Sequence, residues 1–207
     1  KKNITFSGSG ELDNGWTVSI YHAQTDAMSG LSSSSLSIGM GALGSLNYEQ
    51  GTGGFGLNAI DNVVPIAFEE ADYGFSSGII DVGSVVGKAG SLHWKVPELM
   101  EGLALQVGYQ ARGGSGAVAD GGSGGDAGSA AFTNGYSITA RYSPAMLPGL
   151  EVGGGFGENE GGGTTHGKDR EEQTYFATYA FGPLSVGYQW SEDDDMSSTI
   201  YTTDIYG

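Results

Sequence analysis

The sequence predicts an all-β chain, a transmembrane antiparallel up-and-down β-barrel. Three observations carry this. Apolar and polar residues alternate with a period of two along much of the chain, the mark of strands with two unlike faces. The alternating segments mostly approach the ~9–11 residues of a membrane-crossing strand and exceed the ~5–6 usual in soluble proteins. The connections alternate short and long, as they do when tight turns occupy one rim of an outer-membrane barrel and loops the other.

The elements follow in order. Segments 4–12 and 16–24 flank Asp13-Asn14-Gly15, a hairpin signal because Asn and Gly both tolerate positive φ. In the second, Trp16, Val18 and Ile20 alternate with Thr17, Ser19 and Tyr21. Segments 34–41 and 45–51 flank Ala42-Leu43-Gly44. In 91–96, Leu92, Trp94 and Val96 alternate with His93 and Lys95; Pro97–Gly102 then leads into 103–112, where Leu103, Leu105, Val107 and Tyr109 share a face. In 135–143, Tyr136, Ile138, Ala140 and Tyr142 alternate with Ser137, Thr139, Arg141 and Ser143. In 150–158, Leu150, Val152 and Phe156 alternate with Glu151, Gly153, Gly155 and Gly157. Segments 173–181 and 184–191 meet at Gly182-Pro183, and the second carries Leu184, Val186, Tyr188 and Trp190 on one face. A last strand is predicted at 199–206. The long connections are 25–33, 52–90, 113–133, 159–172 and 192–198. The whole of 1–207 reads as one barrel domain, with 113–133, 159–172 and 192–198 as extracellular loops.

Composition narrows the function classes. Of 207 residues, 39 are glycine, well over twice the usual ~7% share. With 8 Lys+Arg against 24 Asp+Glu, the net charge is −16, which disfavours nucleic acid as a partner, since phosphate binding needs clustered cations. The chain has no cysteine, so a disulfide framework or a thiolate metal site is excluded. Most of the acids fall in the long connections; the strands carry few, and Glu49, Glu151, Lys95, Arg112 and Arg141 sit in the polar register. That is the register expected to face the lumen, because a charge facing lipid costs roughly 2–4 kcal/mol at the midplane.

Three motifs invite other readings. Gly39-Met40-Gly41-Ala42-Leu43-Gly44 fits a dinucleotide fingerprint, but a strand-like segment follows it where a helix is required, so a hairpin turn is expected. Gly162–Lys168 has phosphate-loop spacing, yet Asp169 stands where a hydroxyl should hold magnesium. Gly121–Asp126 resembles a single calcium-binding β-roll repeat, and such sites need stacked copies. His22, His93 and His166 show no ligand spacing. No metal, cofactor or catalytic set is expected. Trp16, Trp94, Trp190, Tyr109, Tyr136 and Phe181 lie near strand ends, as in an interfacial aromatic girdle.

With these residues in view, the chain resembles Gram-negative general porins of the alphaproteobacterial kind. The resemblance is carried by Ile4–Val18, Ser35–Leu46 and Tyr175–Tyr188 and extends over most of the sequence. It implies an outer-membrane location, a sixteen-stranded barrel, a homotrimer, and one inward-folded loop that narrows each pore. Residues 52–90 match that loop in place and length, and bring Val63, Val64, Ile66 and Phe68, whose apolar surface would be buried against the barrel wall. About eleven strands are legible, so a partial chain is expected, with a complete barrel of ten or twelve strands as the alternative.

The resemblance further implies passive diffusion of small hydrophilic solutes and ions through the lumen. It sets loop acids Asp61, Glu69, Glu70 and Asp72 against a basic wall of Lys95, Arg112 and Arg141. Arg141 is the strongest wall candidate, since Arg112 falls near the long-loop rim. The −16 charge adds an expectation of weak cation selectivity. The rival reading is a secreted or surface structural, adhesive glycine-rich β-protein, which would bury its apolar face against a second sheet.

Overall fold

The structure is a computed structural model and describes residues 4–24, 31–50, 54–60, 63–65, 90–111, 132–161, 169–194 and 200–206. Eleven strands run β1 (Ile4–Glu11), β2 (Thr17–Gln24), β3 (Leu31–Gly39), β4 (Ser45–Gln50), β5 (Ser91–Lys95), β6 (Leu103–Ala111), β7 (Phe132–Tyr142), β8 (Leu150–Gly161), β9 (Arg170–Phe181), β10 (Leu184–Asp194) and β11 (Ile200–Tyr206). They form one sheet in chain order, each strand antiparallel to the next. This is the up-and-down meander the alternation implied.

The short turns are built as their sequences suggest. The Leu12 N–H donates to the Trp16 carbonyl at 2.7 Å, and the Asn14 side chain accepts from the Trp16 N–H at 3.0 Å. Gly15 takes φ 80°, a left-handed value that a side chain would make costly. Gly149, before β8, has φ 93°, and a Cβ there would run into the Ala180 carbonyl of β9. The Gly39–Gly44 motif is a strand, a 3₁₀ turn at Gly41–Leu43 and another strand, with no helix for a pyrophosphate. Gly162–Lys168 and Gly121–Asp126 lie outside the described residues.

Five strands extend further than expected, all at the long-loop rim: β3 begins at Leu31, β7 at Phe132 and β9 at Arg170, while β8 ends at Gly161 and β10 at Asp194. The extended strands thus take in 132–133, 159–161, 170–172 and 192–194 of the spans 113–133, 159–172 and 192–198 expected as loops. On β8, β9 and β10 those expectations stopped the strand near its first acids. Ladder hydrogen bonds need only backbone, however, so a strand can continue past the lipid into water and carry charge on both faces. Irregularities at Ala23/Gln24 and Phe132/Gly135 lie at this same rim.

Burial is inverted relative to a water-soluble sheet. Glu49, Ser91, His93, Glu172, Thr174 and Gln189 are fully buried, whereas Phe6, Ile20, Ile138, Tyr175, Val186 and many other large apolar side chains are exposed. A structural or adhesive β-protein would bury the apolar face. Here that face points away from everything else in the described chain, as lipid-facing residues do.

The exposed face has a clear limit. On β7–β10, four small or apolar outward positions (Tyr142 to Tyr136, Leu150 to Phe156, Phe181 to Tyr175, Leu184 to Trp190) give way to Asn134, Glu158, Gln173 and Glu192. About eight residues at a rise of ~3.3 Å, tilted by ~40°, cross roughly 20 Å, close to the ~25 Å band of outer-membrane barrels. Aromatics mark both edges. Near the long loops, Tyr136 donates to Glu158 at 3.0 Å and Tyr188 to Asp204 at 2.5 Å, and Tyr175 stacks on Trp190 at 5.8 Å. Near the short turns, Trp94 Nε1 donates to the Leu43 carbonyl at 2.9 Å. Each such side chain keeps its apolar ring at the band and its polar tip toward water.

Candidate pore constriction

The inward face is polar and rich in small residues. Ser9, Ser19, Ser37, Asn47 and His93 lie in one cross-strand row over β1–β5. The row continues through Gly108, Ser137 and Gly157. A parallel row holds Arg141, Gly153, Phe176 and Gln189, directly side by side on β7, β8, β9 and β10. Phe176 breaks the polar pattern; it is an aromatic on the lumen side of its strand, yet only 4% exposed.

What covers it is the described part of the long connection between β4 and β5, residues 54–60 and 63–65. This strap lies on the inward face. Leu57 and Ile60 are both fully buried and form an apolar cluster with Phe176, flanked by Ala59 and Val63. A 3₁₀ turn at Gly56–Ala59 compacts the strap, closed by Ile60 N–H to the Leu57 carbonyl at 2.9 Å. The Asn58 side chain accepts from the Gly54 N–H at 3.0 Å.

The strap reaches from β5 to β10. At one end Phe55 stacks on His93 at 5.2 Å, with the Lys95 ammonium 4.8 Å above the same ring. In the middle, a Cβ at Gly155 would stand 2.6 Å from Leu57 Cδ2. At the other end, a Cβ at Gly187 would stand 2.8 Å from Pro65 Cδ. Inward glycines on β8 and β10 thus leave the depth into which the strap sinks. Gly153 makes room of another kind: its missing Cβ would meet the Phe176 ring at 2.6 Å, so that ring lies across it.

Two of the basic wall candidates are described. Lys95 meets the strap through Phe55. Arg141 holds Glu151 of β8 by Nε–H to Oε1 at 2.8 Å and by a second contact from Nη2; its Nη1 lies 3.5 Å from the Ala59 carbonyl of the strap. Its guanidinium also lies 5.6 Å from the centre of the Phe176 ring. Arg141 is therefore an ion-paired residue that also touches the strap. Asp61, Glu69, Glu70, Asp72 and Arg112 lie outside the described residues, as do Ile66 and Phe68. Val64 is buried, in line with the expectation that the loop's apolar residues are covered.

Sequence reasoning missed the seat of the strap: Gly155, Gly187, Phe176 and Gln189. The available signal was a cluster of glycines in the lumen register of β8 beside an aromatic in the wrong register of β9.

An up-and-down meander with an apolar outer face, aromatic edges and a polar inner face crossed by its own loop defines the class, an outer-membrane β-barrel channel. A family model described as Gram-negative porin matches residues 2–206. The chain belongs to the Gram-negative porin family, whose members are non-enzymatic diffusion channels of the outer membrane. Among solved structures it is similar to a double mutant of Rh. blastica porin, at 14% identity, over 98% of this chain and 78% of that one, with a TM-score of 0.41. A comparison with curated proteins returned no match.

Proposed function

We propose that this porin is a weakly cation-selective pore for small hydrophilic solutes and ions, that residues 52–90 form its constriction, and that it works as a homotrimer. The observation that carries the reading is the strap across the inward face between β5 and β10, a short apolar segment held where only water and wall would otherwise meet.

Charge supports the sign of the selectivity. Inward acids among the described residues are Glu11, Glu49, Glu151, Glu172 and Asp193, against Lys95, Arg141 and Arg170. Two of those bases are already engaged by acids: Arg141 by Glu151, and Arg170 by Glu172 at 2.9 Å and Asp193 at 2.7 Å. A lumen and mouth of one net sign raise the local concentration of counter-ions. In this reading Asp61, Glu69, Glu70 and Asp72 add negative charge at the constriction, opposite Lys95, Arg112 and Arg141.

Reversal potentials in planar bilayers under a salt gradient test the proposal. A modest cation preference is expected, reduced when Glu69, Glu70 and Asp72 are neutralised together to Gln, Gln and Asn. Anion preference in the parent channel would overturn the selectivity. An unchanged preference in the triple variant would remove 52–90 as the constriction. Chemical cross-linking of the detergent-extracted protein checks the trimer.

A further inference from the structure

We propose that Gln189 is the residue that latches the strap to the barrel wall and so fixes the aperture, an inference that rests on reading 52–90 as the constriction. Gln189 sits on the inward face of β10 and is fully buried. Its Nε2 donates to the Ile60 carbonyl at 2.7 Å, and its Oε1 accepts from the Val63 N–H at 3.3 Å. One side-chain amide thereby grips the strap through a backbone acceptor and a backbone donor, as a neighbouring strand would. Those two groups otherwise lie against an apolar cluster, where an unpaired backbone polar group is costly.

The grip has a fixed orientation. Thr174 Oγ1 donates to the Trp190 carbonyl at 3.1 Å, which leaves that oxygen as an acceptor toward Gln189. Gln189 Nε2 lies 2.9 Å from it. The nitrogen of the amide must then face Thr174 and Ile60, and the oxygen must face Val63. Arg141 approaches the strap too, but at 3.5 Å and with its stronger bonds given to Glu151. Phe55 holds the other end through its ring, stacked on His93 and capped by the Lys95 ammonium, with no backbone bond among its described contacts. Of the described contacts, Gln189 is the one that reads the strap's backbone in both directions.

The test uses a reporter thiol, Ala59→Cys, which stands alone because the chain has no cysteine. Gln189→Met keeps the length and volume of the side chain and removes both bonds. In lipid vesicles, labelling of the thiol by a membrane-impermeant maleimide is expected to rise roughly thirtyfold, the equivalent of two net hydrogen bonds lost. Single channels of Gln189→Met should show greater open-channel noise, with heat-modifiable migration unchanged. Gln189→Glu keeps the acceptor for Val63 and loses the donor to Ile60 until its carboxyl is protonated. Taken relative to the parent at the same pH, which cancels the common loss of thiolate, its labelling should therefore fall toward the parent rate as the pH approaches the ordinary carboxylate range of about 4.3, while the ratio for Gln189→Met stays raised. If Gln189→Met fails to fold, the pH dependence of Gln189→Glu decides alone. Parent-like labelling in Gln189→Met, or labelling of Gln189→Glu that tracks Gln189→Met at every pH, would overturn the latch. A parent protein that conducts nothing would count against the channel reading instead, and the labelling would still judge the latch.

Discussion

On the outer face of β7–β10, large apolar side chains such as Ile138, Val186, Tyr175 and Phe181 stand side by side with no partner among the described residues beyond their own sheet. On the inner face of the same strands, Arg141, Gly153, Phe176 and Gln189 form a row that fits one remote segment of chain. Both faces follow the same two-residue period. The outer face answers to a solvent, lipid, which accepts any apolar shape. The inner face answers to a particular object, the strap, and its side chains are chosen one by one for depth, hydrogen bonding and charge. Tolerance to substitution should differ accordingly.

The largest effect should come from placing a charge in the lipid-facing register. Ile138 is the third of four outward positions on β7, near mid-band, and is 51% exposed. Ile138→Arg is expected to cost about 2–4 kcal/mol of folding free energy. Thr178→Lys carries a similar charge to the inward face beside Glu151, its cross-strand partner, and is expected to stay within about 1 kcal/mol of the parent. Urea titration of folding into lipid vesicles, read by heat-modifiable migration, gives both numbers. Equal losses in the two variants would break the assignment of faces.

A smaller effect should come from filling the seat of the strap. At Gly155 a side chain would press on Leu57 and on Thr139 Cγ2, 2.8 Å from the new Cβ, whereas a Cβ at Gly10 on β1 meets nothing within 4 Å. Gly155→Val is expected to cost about 1–3 kcal/mol through overpacking and to change single-channel conductance as the strap lifts. Gly10→Val should change stability by no more than about 0.5 kcal/mol and leave conductance alone. A Gly155→Val channel that matches the parent in both respects would mean that Leu57 does not rest on β8.

These two cases mark what could be read from sequence. The outward register was legible because lipid imposes it on every strand in the same way: Leu184, Val186, Tyr188 and Trp190 alternate without reference to any other part of the chain. The short turns were legible because Asn14-Gly15 and Gly182-Pro183 encode their own geometry. The ends of β8 and β9 at the long-loop rim were not, since the acids Glu160, Glu171 and Glu172 read as loop although their backbone continues the strands. The seat of the strap was least legible. Gly155, Phe176 and Gln189 acquire meaning only from Leu57, Ile60 and Val63, which lie over a hundred residues away from Gln189 in the chain. Arg141 was reachable from its register, but its pairing with Glu151 and its contact with Ala59 depend on the neighbouring strand and on the strap.

The smallest change in stability, and a sharp test of inner-face charge, comes from that pair. The side chains of Arg141 and Glu151 are 40% and 30% exposed, so water screens the bond between them and it should contribute only about 0–1 kcal/mol. Arg141→Met keeps an apolar stem over Phe176 and removes the cation; Glu151→Gln removes the anion and keeps the shape. Stability should barely move in either variant. Ion preference should move in opposite directions: Arg141→Met leaves Glu151 uncompensated toward the lumen and strengthens the preference for cations, while Glu151→Gln leaves Arg141 uncompensated and weakens it. Reversal potentials measured side by side give the two signs. Shifts in the same direction would mean that the pair acts by holding the strap through the Ala59 carbonyl, and that its charge does not set what passes.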